Sequence, residues 1–64
     1  MKKYRRTFIF VVKNSITGGV IHYSLFRRAE FWTRIEAVKY ITENNLDRGI
    51  YYPEMTEKLI EIDS

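Results

Sequence analysis

The sequence predicts an α+β domain of order β-β-α-β: an antiparallel hairpin plus a third strand, with one helix packed on one sheet face. Three observations predict it. The apolar run Tyr4–Val12 is followed, beyond Gly18-Gly19, by a second apolar run, Val20–Phe26. Thr33–Asn45 carries a full set of helix signals. Ile60 and Ile62 bring β-branched residues to the end of the chain. A lone helix with a narrow apolar stripe must lie on something flat, and the strands supply it.

Tyr4–Val12 reads as a strand, with Phe8, Phe10 and Val12 on one face and Ile9 and Val11 on the other. A sheet with one wet face alternates cleanly. Apolar character on both faces therefore asks for a second cover besides the helix, and in so short a chain the expected cover is a second subunit in a homodimer. Asn14-Ser15-Ile16-Thr17-Gly18-Gly19 is a turn in which the glycines supply positive φ. A phosphate-cradling reading fails, because no Gly-Lys-Ser/Thr follows and no helix starts there. Val20–Phe26 returns as the second strand, with Ile21, Tyr23 and Leu25 on one face.

The helix begins at Thr33, which forms a capping box with Glu36. Ile35, Val38 and Ile41 recur at spacing three on one side, and Glu36, Lys39 and Glu43 make the wet side. Asn44-Asn45 supplies a stop. Trp32 stands where a hydrophobic staple would, with only Ala37 to meet. Gly49 is placed for a left-handed turn, and Ile50-Tyr51-Tyr52-Pro53 reads as a loop or short extended piece. Residues 54–62 read two ways. Met55, Leu59 and Ile62 suit a helix, whereas the β-branched residues favour a third strand over Glu57–Asp63. The expected core holds Phe8, Phe10 and Val12, or else Ile9 and Val11, from the first strand, joined by Ile21, Tyr23, Leu25, Ile35, Val38, Ile41, Ile60 and Ile62.

Size and composition bound the rest. Sixty-four residues make one domain, 1–64, near the lower limit for folding alone. Ten aromatic side chains (one Trp, five Tyr, four Phe) and a 45% apolar content argue for a folded chain. With no cysteine there is no disulfide and no thiolate ligand, and the lone His22 makes no metal site. The start MKKYRR-TFIFVV imitates a signal peptide, but its apolar run is too short, and no stretch approaches the roughly 20 apolar residues of a membrane span. A cytoplasmic protein is expected. The net charge of +3 hides a polarised layout, with seven basic and no acidic residues over 1–28, and four basic against eight acidic over 29–64.

Chemistry is sparse. His22 and Ser24 share a strand face but have no orienting third group. The carboxylate pairs Glu30/Glu36 and Glu54/Glu57 sit among mixed charges and read as solvated surface groups, since acids are rarely buried. No catalytic residue, cofactor or metal is expected. The sequence points instead to a non-enzymatic protein-binding module with Trp32, Tyr40, Tyr51 and Tyr52 as contact residues, since aromatics and arginine anchor interfaces. By analogy of size alone, such domains serve as regulators, inhibitors or antitoxin-like neutralisers, often of phage or mobile-element type. The alternative is nucleic-acid binding. It expects Lys2, Lys3, Arg5 and Arg6 around Tyr4 to merge with Arg27 and Arg28 into one patch at one end of the hairpin.

Overall fold

The computed structural model describes residues 2–62. The chain is α+β, with antiparallel strands and one helix, in the order β1 (Lys3–Asn14), β2 (His22–Ser24), β3 (Arg27–Arg28), α1 (Arg34–Glu43) and β4 (Tyr51–Ile62). β1 and β4 form a two-stranded antiparallel ribbon, paired continuously from Lys3↔Ile62 to Asn14↔Tyr51. Twelve extended residues span about 40 Å, and the molecule is 44 Å long, so the ribbon is its long axis.

The long partner of β1 is thus the last strand, and not the returning segment the sequence suggested. Val20–Phe26 follows β1 only briefly, through the bridge Lys13↔Val20 and the bond from Ile21 N–H to Val12 O at 3.0 Å. It then leaves to pair with β3 across an irregular register, His22↔Arg28 and Ser24↔Arg27. The reason is that the next place along this edge of β1 is taken by Phe31, whose backbone exchanges both bonds with Phe10 (2.7 and 2.8 Å). Tyr23 and Leu25, expected in the core, stand exposed on this small excursion, and Phe26 at its turn is almost wholly in water.

β4 begins earlier than expected, running through Tyr51-Tyr52-Pro53. Phe10, Val12 and Asn14 turn their hydrogen-bonding groups away from β4, towards Phe31, Ile21 and Gly19. Pro53 lies opposite Val12, a non-bonded position of the ladder, so its missing N–H costs nothing there. Asp63, the expected end of the strand, lies outside the described residues.

Local chemistry closes the turns. Asn14 Oδ1 accepts from the backbone N–H of Ile16 (2.8 Å) and Thr17 (3.1 Å), and Gly18 takes φ +75°. The Thr33 hydroxyl accepts from Glu36 N–H at 3.2 Å, capping α1. At the other end Asn45 adopts φ +54°, with bonds from Asn45 N–H to Thr42 O and from Leu46 N–H to Ile41 O. That is a Schellman closure with asparagine in the usual glycine place.

The core forms where α1 crosses one half of the ribbon. Val12, Ala37 and Ile41 are buried together, with Phe10, Ile21, Phe31, Tyr40, Leu46 and Tyr51 packed around them. The expected helix stripe is turned: Ile35 is 79% exposed, and Ala37 lies inside instead. Ala37 and Ile41 are four apart and face the sheet together, and the small Ala37 lets the helix approach. Phe8 and Ile62, also expected in the core, are exposed.

The second face of β1 resolves differently from the expectation. Ile9 and Val11 are 3% and 2% exposed within one chain, and Ala29 is fully buried. Glu30 hydrogen-bonds Lys58, which shares the face of Ile9 and Val11, so the strap leading out of β3 closes over this side. The doubly apolar strand therefore needs no companion subunit to hide it. Among the described residues, no helix is long and apolar enough to cross a membrane.

Candidate protein-binding surface

Helix and strap cover the half of the ribbon around Val11 and Val12. The other half, Lys3–Phe8 against Glu57–Ile62, projects as an arm. Strand alternation sets Tyr4 opposite Glu61, Arg6 opposite Leu59 and Phe8 opposite Glu57 on one face. Lys3 lies opposite Ile62, Arg5 opposite Ile60, and Thr7 opposite Lys58 on the other. Tyr4, Phe8, Met55, Leu59 and Ile62 are all exposed. Large apolar side chains thus alternate with charges along an uncovered ribbon.

Trp32 sits at the foot of the arm. It bounds an open groove of about 460 Å³ shared with Phe31, Ile9, Ile60, Glu30 and Lys58. The groove runs on into a hollow of about 410 Å³ between Trp32 and Arg5, Thr7, Ile60 and Ile62. Its charged lining is fixed, since Glu30 binds Lys58 and also accepts from Arg28 Nη2 at 2.8 Å. Partial burial pushes the Glu30 carboxyl up, but the hydrogen bonds and charges of Lys58 and Arg28 outweigh it and hold the carboxyl below its usual range. A lowered folded pKa stabilises the fold above the ordinary carboxylate value of about 4.3, and that stability is lost as pH falls through the folded value. Glu30→Gln is expected to cost about 1 kcal/mol at neutral pH. Its gap from the parent should narrow below about pH 4, as read by urea unfolding across pH.

The four aromatic residues singled out from the sequence do not share one surface. Trp32 is exposed at the groove. Tyr40 is structural, its ring 5.3 Å from Phe31 and 6.0 Å from Tyr23 between centroids. Tyr51 packs on the core. Tyr52, half exposed, lines a separate hollow of about 340 Å³ with Pro53, Arg34 and Arg48. Phe8, Leu59 and Met55 are absent from the contact residues expected from sequence; for Phe8 the available signal is the mixing of basic and aromatic residues over Lys3–Phe8, whereas Leu59 and Met55 carry none.

The basic residues do not merge either. Lys2 lies 3.7 Å from Glu61, Arg6 2.6 Å from Glu57, and Arg28 2.8 Å from Glu30. Arg27 stands over the Tyr23 ring at 5.9 Å. Lys2–Arg6 occupy the outer end of the arm, whereas Arg27 and Arg28 join the ribbon through Ile21 and Ala29, at the level of Val12. No protein-family model matches this chain, and no curated protein or solved structure does. His22 Nδ1–H donates to the Val20 carbonyl at 2.7 Å, and among the described residues no three metal-ligating side chains converge.

Proposed function

We propose that this chain is a small non-enzymatic protein-binding module whose contact surface is the arm together with Trp32. The observation that carries the reading is that both faces of the arm present large apolar groups, exposed Tyr4, Phe8 and Leu59 on one and the Trp32-walled groove over Ile60 on the other. Solvated monomers rarely leave such residues grouped, and Trp, Tyr and Arg are the residues that most often dominate binding energy. Regulator, inhibitor and antitoxin-like roles all fit a module that acts by occupying a partner.

The test is recovery of a protein partner on immobilised chain, with and without nuclease. A partner retained after nuclease supports the reading, and one lost with the nucleic acid overturns it. The alternative, nucleic-acid binding, draws on Lys3 and Arg5, for which no acidic neighbour lies within 4 Å among the described residues. It predicts a log–log salt slope of roughly −0.9 per contacted phosphate on duplex DNA. An apolar protein contact responds far less to salt.

A second copy of the chain is one partner this surface accepts, now because of Phe8 and Leu59 rather than Ile9 and Val11. Sedimentation at high micromolar concentration is expected to exceed the 7.8 kDa of one chain. A single monomeric species removes self-association and leaves the module reading in place.

A further inference from the structure

β1 has one edge that is only half used. Its even-numbered residues aim their backbone groups away from β4, as Phe10, Val12 and Asn14 show by bonding Phe31, Ile21 and Gly19. Strand geometry gives Tyr4, Arg6 and Phe8 the same sense. Among the described residues, these three have no backbone partner on that edge. Phe31 ends the vacancy at one side and the start of the strand ends it at the other. The open length is five residues, or about 17 Å. Three N–H groups and three carbonyls face outward along it. An unpaired edge of this kind is a template for another strand.

We infer that this edge takes, in antiparallel register, a short extended acidic segment of another protein. The inference rests on the protein-binding reading and names the partner's chemistry. Charge selects the occupant. Lys2, Lys3, Arg5 and Arg6 flank the edge, and the chain holds no acid before Glu30. A second β1 pairing about a two-fold axis at Arg6 would set Arg6 against Arg6, and like charges directly opposite are destabilising. The other edge of β1 already shows which strand this sequence accepts. β4 brings Glu57 to Arg6 and Glu61 to Lys2, with Leu59 between them. A nucleic-acid backbone fits less well. Phosphates only accept hydrogen bonds, so they leave the carbonyls of Tyr4, Arg6 and Phe8 without donors, whereas a peptide strand supplies both. The register defines the segment: apolar residues opposite Phe8 and Tyr4, and carboxylates opposite Arg6, Arg5 and Lys3.

The hexapeptide VTEEIE, capped at both ends, places those residues in that order and is the probe. In saturating VTEEIE, amide exchange at Tyr4, Arg6 and Phe8 should slow at least tenfold. Exchange at Arg5 and Thr7, already in the ladder with β4, should hardly change. Arg6→Pro removes one outward N–H and no bond to β4, and it should abolish binding. Arg6→Ala keeps that N–H and should weaken binding only a few-fold. Where Arg6→Pro does not fold, N-methylation of residue 6 in a synthetic chain removes the same donor. Protection at the three even-numbered amides supports the inference. Binding of VTEEIE that shifts Trp32 and Ile60 without that protection overturns it and leaves the protein-binding reading standing. So does absence of binding at millimolar peptide, while the nuclease test still finds a protein partner. Equal protection by the basic hexapeptide VTKKIK overturns the charge argument, and protection by oligothymidine in place of peptide overturns both readings.

Discussion

Replacing Ile41 by alanine is expected to remove about 3 kcal/mol of folding stability. Ile41 is among the largest fully buried side chains, and it meets Val12 and Ala37 where helix and ribbon cross. Truncation there loses the transfer free energy of the side chain and leaves a cavity that a two-layer core cannot collapse to fill. A chain of 64 residues has about 3–10 kcal/mol in total, so the variant loses roughly 30% or more of its stability. Ile35, one of the same stripe in sequence, is the control. Exposed as it is, Ile35→Ala should change stability by less than about 0.5 kcal/mol, helped by the better helix propensity of alanine. Urea unfolding of the two variants reads both values. Similar losses at 35 and 41 would mean that the helix sits rotated from the orientation described.

Trp32→Ala carries the second large effect, and it falls on binding instead of folding. At 64% exposure the ring contributes little to the core, so the unfolding free energy should stay within about 0.5 kcal/mol of the parent. Affinity for a protein partner should drop by about 2 kcal/mol, roughly thirty-fold, as expected of a tryptophan anchor. Tyr40→Ala should do the reverse. Wedged between Phe31 and Tyr23, it supports the fold, and its loss should lower stability by a few kcal/mol with no affinity change in the fraction that stays folded. A Trp32→Ala variant that binds with unchanged affinity would take the groove out of the contact surface.

What the sequence disclosed, and what it withheld, divides along range. Thr33 and Asn44-Asn45 mark the helix ends because caps are made by residues within a turn of each other. The first strand is equally plain, since β-branched and aromatic residues over Tyr4–Val12 leave little else to form. Partnership along the edges is a different matter. Ile9 and Val11 declare that both faces are covered, but a covering strap and a covering subunit satisfy the pattern alike. The strap is Ala29-Glu30, which has no apolar run to announce it. Phe31 stands two residues before the helix cap Thr33, with nothing local to show that it occupies a strand position beside Phe10. The helix stripe misled because the large residues at 35, 38 and 41 outweighed Ala37, whose use is its smallness. Of the proposed contact surface, Trp32 was legible as a candidate anchor. The arm was not, because Phe8 and Leu59 carry the residue types of a core and are left outside by the length of the ribbon.

The pairing of β1 with β4 has a kinetic corollary. Lys3 meets Ile62, so nearly the whole chain must be closed into a loop before the arm gains anything. Around Asn14 and Tyr51, by contrast, the turn, helix and strap give local support. Folding should nucleate there and zip outward, and fluctuations should peel the ribbon from its tip inward. The arm is then the last part of the molecule to form and the first to open, which would make its order sensitive to any strand that pairs with it.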